Sequence, residues 1–221
     1  VALGLLEGVK LSRPALILDA GCGPGGTSAR FKGLGRVVGL DLAPEALSLA
    51  RRHGLAGLVR ASVTALPFGN AAFDLVLCFD VLYHLWVGDD RLAVRELARV
   101  LKPGGYLLIR VPAFEALRGP HDRVVLTRHR YTAGEVADLV RSAGLKVERL
   151  TYANALLFAP AALWRLAGRL ISPDQKAASD VRPLPEPLNG LLYRILRLEG
   201  RLIRRFGRLP IGLSVICLAR R

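Results

Sequence analysis

The stretch that most constrains this chain is residues 15–27, ALILDAGCGPGGT. An apolar run with the character of a buried strand ends near an acid, Asp19, and then meets a glycine-rich turn that opens a helix. Gly21, Gly23 and Gly26 keep side chains off that turn, so its backbone is suited to a ligand lying against it. Further strand-and-helix units are needed to complete a pocket over the turn, and the downstream sequence supplies them.

Residues 1–11 have the pattern of an amphipathic lead-in helix, broken by Arg13-Pro14. Strands are expected at residues 15–20, 36–41, 58–62, 72–80 and 106–111. Helices are expected between them at residues 27–34, 44–53 and 91–101, the last capped by Asp89 and Asp90. Lys102-Pro103-Gly104-Gly105 reads as a turn into the fifth strand. This alternation describes a doubly wound α/β sheet, with ligands at the carboxyl ends of its strands. From Tyr131 onward, Thr132 caps a helix ending at Gly144, and residues 145–152 alternate as a strand. The rhythm then breaks. Residues 155–170 are helical in pattern, 172–187 are polar and proline-rich as in a loop, 188–206 form a strongly basic helix, and 213–219 close the chain as a strand. Residues 155–208 therefore read as a helical insertion before the last strand, an excursion of the kind that covers a site or mediates association.

A chain of 221 residues can bury one full α/β core. Its longest apolar run, residues 155–164, contains Pro160 and is about half the length a spanning helix needs. The opening VALGLLEGVKLSR lacks the pattern of a secretion signal, so a cytoplasmic location is expected. Cys22, Cys78 and Cys217 are far apart and sit in or beside apolar strands, which points to buried thiols without metal or redox work. The net charge of +14 invites a nucleic-acid or acidic-membrane reading. Arginine supplies most of it, spread along helix faces until the C-terminal third, where it concentrates, and a compositional bias explains that spread at least as well as function does.

Gly21, Gly23 and Gly26 satisfy G-x-G-x-x-G, with Asp41 about twenty residues on, where a ribose-binding acid belongs. That fingerprint is shared by several adenosine-containing ligands. Asp19 discriminates among them: a carboxylate beside the turn repels a pyrophosphate and attracts an ammonium or sulfonium. The sequence here resembles the class I S-adenosylmethionine-dependent methyltransferases. LDAGCGPG matches their first motif, GLDLAPEALSLAR their second strand and helix, ALPFGNAAFDLVLCFDVLYHL their central region, and RELARVLKPGGYLLIRVP the following helix and fifth strand. The resemblance covers residues 15–111 and leans toward the small-molecule branch that includes the ubiquinone and menaquinone enzymes. It implies a Rossmann-like sheet of seven strands with the last antiparallel, and S-adenosylmethionine as cofactor. It divides a single domain into the lead-in (1–14), a cofactor-binding half (15–111), a substrate-side half (112–154), the helical insertion (155–208) and the final strand (209–221).

Carried over residue by residue, the resemblance makes Gly21 and Gly23, with Ala20 and Cys22 between and beside them, the backbone platform for the methionine part. Asp19 becomes an anchor near its amino group, Asp41 holds the ribose hydroxyls, and Leu42 packs on the adenine. Ser62 and Val63 fall at the adenine edge, where the family often has an acid and a small residue, so Ser62 is a departure. Phe79 and Asp80 border the methionine moiety, with Tyr83 and His84 next to the transferred methyl. Asp19 and Asp41 also suit plain capping roles, and His84 a hydrogen-bonded structural one.

The acceptor is expected to be a small or lipid-like molecule methylated on oxygen or carbon. Candidates for a base or substrate contact are His84 and the cluster HDRVVLTRHRYT, which holds His129 and Tyr131. That cluster equally suits a helix cap paired with surface acids, and its histidine spacing makes no metal site. On the helix Leu188 to Phe206, leucines and isoleucines face one side and arginines the other. This is the pattern of a helix packed on its domain with a solvated basic face, or of one lying on an anionic membrane. An RNA substrate is disfavoured by the absence of an N-P-P-Y-type tetrad where the chain reads FDVLYH. A nicotinamide-dependent reductase is disfavoured by Asp19, and a cofactor-binding partner protein without catalysis remains a rival.

Overall fold

The computed structural model describes residues 1–171 and 185–221, with the backbone alone for residues 166–171. The expected loop at residues 172–187 falls almost wholly outside the described residues. Seven strands, β1 (Ala15–Ala20), β2 (Gly35–Asp41), β3 (Gly57–Arg60), β4 (Phe73–Phe79), β5 (Leu101–Pro112), β6 (Lys146–Ala153) and β7 (Ser214–Arg220), form one sheet. Their order is β3-β2-β1-β4-β5-β7-β6. β1 to β5 pair in parallel, while β7 runs antiparallel to both β5 and β6. This is the Rossmann-like sheet with a reversed last strand that the resemblance implied.

β4 is buried along its whole length, as a central strand covered on both faces must be. Alternate residues feed two cores. Leu18, Val76, Cys78, Leu107 and Ile109 pack under α3 (Asp90–Val100) and α5 (Ala133–Ser142). Ile17, Leu75, Leu77, Leu108 and Ile216 pack on the other face with Phe31, Ala50, Leu5 and Ile203. α2 (Pro44–Arg52) and α7 (Glu186–Phe206) supply Ala50 and Ile203 to that second layer. Cys22, Cys78 and Cys217 are buried and unbridged.

Several expectations are corrected in detail. The lead-in helix is a single turn, α1 (Ala2–Leu5), because the chain reverses at Gly8 with φ +80°. The helix after the glycine turn is a seven-residue 3-10 segment, Ser28–Leu34. It ends against Gly35, where a Cβ would meet the Ala15 carbonyl oxygen at 2.0 Å, so β1 and β2 approach more closely than any side chain allows. The Lys102–Gly105 turn is instead a bulge within β5: Phe73 pairs with Leu101 and Leu75 with Tyr106, leaving the extra residues looped out. A short helix, α4 (Pro120–Val124), and a 3-10 turn at Glu115–Leu117 fill the 112–132 segment. α5 begins at the predicted Thr132, whose hydroxyl accepts the Glu135 N–H while the Glu135 carboxylate accepts the Thr132 N–H.

The long excursion leaves β6 at Ala153 and re-enters β7 at Ser214, carrying α6 (Phe158–Ile171) and α7. Because β7 is reversed, both ends lie at the carboxyl edge of the parallel strands. Glu199 fastens it there. Fully buried on α7, its carboxylate accepts the backbone N–H groups of Asn154 and Ala155 at 2.6 Å each and of Leu156 at 3.3 Å.

Candidate active site

The site begins with backbone conformations that only glycine adopts easily. Gly21 has φ +87° and a Cβ there would lie 2.1 Å from Val81 Cγ2. Gly23 has φ +51° with open space where a Cβ would stand, and its N–H donates to Asp41 Oδ2 at 2.9 Å. Asp41 Oδ1 accepts from the Ala43 N–H at 3.0 Å. Each carboxylate oxygen thus makes one protein hydrogen bond and keeps capacity for a ligand hydroxyl.

A cleft of about 290 Å³ opens over this turn, lined by Gly21 and Gly23, by Asp41, Leu42, Ser62 and Val63 at the ends of β2 and β3, and by Phe79, Asp80 and His84 at and beyond the end of β4. It sits where the strand order reverses between β1 and β4, the place an α/β sheet offers a ligand. Nine of the predicted cofactor positions therefore line one cavity. Ser62 Oγ lies 2.7 Å from Thr64 Oγ1 and accepts the Thr64 N–H at 3.2 Å. Asp80 ends β4 with φ +57° and pairs with Arg110, whose Nε donates to Asp80 Oδ2 at 2.9 Å. The Arg110 guanidinium also lies 5.3 Å from the Phe79 ring centre, a cation–π contact.

Asp19, Ala20 and Cys22 are not in the cleft wall. All three are buried beneath the turn. Asp19 accepts the Ser28 hydroxyl at 2.5 Å, and burial pushes its carboxyl up to about 6, against the pull of that hydrogen bond. The turn therefore stands between its carboxyl and the cleft.

His84 donates from Nδ1 to the Val125 carbonyl at 2.7 Å. Burial lowers its pKa, opposed by the Val125 and Asp80 carbonyls, so the ring is neutral at neutral pH. It stacks on Trp86, with ring centres 4.2 Å apart and planes 18° apart, and Trp86 joins Val81 and Val87 in the cleft wall. Tyr83 packs on the other side of His84 at 4.1 Å, and burial raises its pKa to about 12.

His129 and Tyr131 are placed elsewhere. Tyr131 is buried with its hydroxyl donating to Asp90 Oδ2 at 2.8 Å, and burial raises its pKa first of all. His129 Nε2 meets Glu135 at 3.1 Å. Around them, Arg128 pairs with Asp90 at 2.8 Å and buried Arg130 with buried Asp122 at 3.0 Å. The HDRVVLTRHRYT cluster is thus engaged in ion pairs, Arg130 with Asp122 inside the segment and Arg128 with Asp90 tying it to α3. Among the described residues no group of His, Cys, Asp and Glu could hold a metal ion.

Sequence reading missed Trp86, Arg110 and the strained rim. Trp86 follows His84 by two residues, and Arg110 interrupts an apolar strand, so both carried a legible signal. The rim did not: Asp80, Phe114 and Asn154, just beyond β4, β5 and β6, all have positive φ. Phe114 has φ +56° and is held by stacking on Tyr152 at 5.0 Å and by Phe158 at 5.9 Å. Non-glycine residues persist in such conformations only where their surroundings over-determine them, commonly at functional sites.

Comparison with known proteins agrees with this geometry. The Methyltransferase domain family matches residues 18–109. A ubiquinone biosynthesis O-methyltransferase of Xanthomonas oryzae pv. oryzae is 35% identical over 178 residues, covering 72% of this chain and 71% of the relative. A malonyl-[acyl-carrier protein] O-methyltransferase of Enterobacter lignolyticus is 40% identical over 115 residues. There the match covers 51% of this chain and 45% of the relative, so the chain spans less than half of that protein's length. An S-adenosylmethionine-dependent methyltransferase from Mesorhizobium loti has the same fold, with a TM-score of 0.60 at 19% identity over 94% of this chain and 91% of that one. By sequence relationship and by fold, the chain belongs to the class I S-adenosylmethionine-dependent methyltransferases.

Proposed function

We propose that this chain transfers the methyl group of S-adenosylmethionine to an oxygen or carbon of a small-molecule or lipid-like acceptor. The observation that carries the reading is the cleft over the Gly21–Gly23 turn, with Asp41 from β2 and Asp80 from just beyond β4 both in its wall. The names of the relatives, both O-methyltransferases, favour oxygen. S-adenosylmethionine supplies an already activated sulfonium methyl, so positioning the nucleophile accounts for much of the rate.

In this reading Gly21 and Gly23 let the methionine portion lie against the backbone, and Asp41 accepts the ribose hydroxyls with its two remaining lone-pair directions. Leu42, Ser62 and Val63 border the adenine, and Ser62 offers a hydroxyl where the family often offers an acid. Asp19 adds negative potential beneath the turn, which suits an ammonium or sulfonium and opposes a pyrophosphate. Phe79 and Asp80 shape the reacting end, with Arg110 fixing the Asp80 carboxylate. Neutral His84, held by Val125 and stacked between Tyr83 and Trp86, is positioned to take a proton from an acceptor hydroxyl. His129 and Tyr131 have no part in this scheme, because their polar atoms are engaged away from the cleft.

Calorimetric titration with S-adenosylhomocysteine and with NAD tests the cofactor. Binding of the former alone is expected, and binding of NAD alone overturns the proposal. Release of S-adenosylhomocysteine across a panel of phenols, carboxylic acids and carbon acids then identifies the acceptor, and no release with any of them favours the non-catalytic rival. With an oxygen acceptor, His84→Asn lowers turnover about a hundredfold. The wild-type rate holds its plateau to below pH 6.5, because burial lowers the histidine pKa from that value and keeps the base form populated.

A further inference from the structure

The excursion between β6 and β7 presents two surfaces that the methyl-transfer reading leaves unused. On α7, burial is confined to the C-terminal part, at Glu199 and Ile203. Nearer its start, Leu191 is 54% exposed and Tyr193 62%, and Leu188 and Leu198 are exposed as well. Leu191, Leu198 and Leu202 follow one another at seven- and four-residue spacing along one line of the helix. Beside that line run Arg194, Arg197, Arg201 and Arg205, none of which pairs with a carboxylate among the described residues; Arg204 meets Glu7 at 3.3 Å. On α6, Leu163 is 69% exposed and Trp164 81%.

We propose that α6 and α7 dock this protein on an anionic lipid bilayer, with the arginines on phosphate headgroups and Trp164, Leu163 and Leu191 entering the acyl boundary. Charge complementarity favours this occupant: the chain carries +14 overall, and α7 has five arginines against one exposed acid, Glu186. A nucleic acid satisfies the arginines yet leaves the leucines and the tryptophan largely in water. A bilayer interface takes both, and tryptophan is enriched at that depth. No helix among the described residues is long and apolar enough to cross a membrane, so the contact is interfacial. Both ends of the excursion lie at the carboxyl edge of the sheet, the edge that carries the cleft. Docking there brings the cleft to the lipid surface, where a lipid-like acceptor resides. That last link rests on the proposed methyl-transfer reading; bilayer binding itself does not.

The test is co-sedimentation of the full chain with vesicles of phosphatidylglycerol and phosphatidylcholine, and with vesicles of phosphatidylcholine alone, at low and high salt. Binding is expected to the anionic vesicles at low salt only. Each arginine contributes about fivefold, so replacing Arg194, Arg197, Arg201 and Arg205 by Gln weakens binding by several hundredfold without altering the circular dichroism spectrum. Trp164→Ser weakens it further, and the tryptophan fluorescence of a Trp86→Phe protein shifts to the blue on anionic vesicles. Equal binding to neutral vesicles, no binding to either kind, or binding unchanged by the four Gln substitutions overturns the proposal. So does capture of a nucleic acid or an acidic protein with no vesicle binding. Calorimetry with S-adenosylhomocysteine on the same samples separates failure of this inference from failure of the methyl-donor reading.

Discussion

The turn between β1 and the 3-10 segment and the excursion between β6 and β7 are opposite solutions to building a site at one edge of a sheet. At the turn nearly every atom is committed. Gly21 leaves no room for a methyl group, Gly23 and Ala43 hold both oxygens of Asp41, and Ser28 holds buried Asp19. In the excursion Glu199 ties α7 to residues 154–156 and Ile203 enters the second core, while the outer faces of α6 and α7 keep exposed leucine, tryptophan and arginine. A region that must hold one small molecule in one pose uses its backbone and buried charge. In the proposed docking on a bilayer, the excursion needs only to stay attached.

Substitutions at the two places should therefore differ in kind. The largest effect is expected of Gly21→Ala, which combines φ +87° with a contact to Val81 at 2.1 Å. We expect a loss of about 4 kcal/mol from positive φ and overpacking together, and S-adenosylhomocysteine binding below detection in calorimetry. Near-wild-type stability in chemical denaturation would falsify the tight fit assigned to the turn.

Asp19→Asn comes next and has the opposite sign for stability. Burial holds the folded-state carboxyl at about 6 against an ordinary value of 3.8. The folded state thus retains a proton that the unfolded state has already released. This group's stabilising contribution is full below the unfolded value and is lost as pH rises through about 6. The Asn variant keeps the Ser28 hydrogen bond and removes that loss, gaining about 3 kcal/mol at neutral pH. It weakens cofactor binding at the same time. Urea denaturation from pH 3 to 8 measures the change, and an unchanged pH dependence removes Asp19 from the account.

In the excursion, Glu199→Gln leaves at least one of three backbone N–H groups without its acceptor. The cost is about 2 kcal/mol, read by denaturation, with faster amide exchange at Asn154, Ala155 and Leu156. Unchanged exchange there shows that some other contact holds the excursion. The smallest effect belongs to the four arginine-to-glutamine substitutions on α7, which should leave stability within about 0.5 kcal/mol while abolishing vesicle binding. A large stability loss would mean that these arginines face the protein.

How much was legible follows the same division. Period and punctuation located all seven strands: central β4 is a continuous apolar run, β6 alternates, and Gly or Pro stands near many of their ends. The two halves of the sheet were less equal in their side-chain roles. Asp41, Leu42, Ser62, Val63, Asp80 and His84 follow fixed positions after parallel strands, and all reach one cleft. His129 and Tyr131 do not, because a cluster of mixed charges looks alike in sequence whether it faces a substrate or pairs with itself. Here Arg130 pairs with Asp122 inside the cluster and Arg128 with Asp90 on α3. Glu199 was hidden for a related reason: an acid among five arginines suggests a surface pair, whereas its partners are backbone groups forty-odd residues away.

The sequence by itself determined the strand-turn-helix at residues 15–27, the alternation that makes a parallel sheet, and the acid that ends β2, since these depend on local conformation and periodicity. Only the tertiary structure decided which charges meet, which non-glycine residues take positive φ, and on which edge the excursion stands. The last of these depends on β7 running backwards between β5 and β6. That reversal brings residues far apart in the chain into contact at one edge, and spacing along the chain carries no record of it.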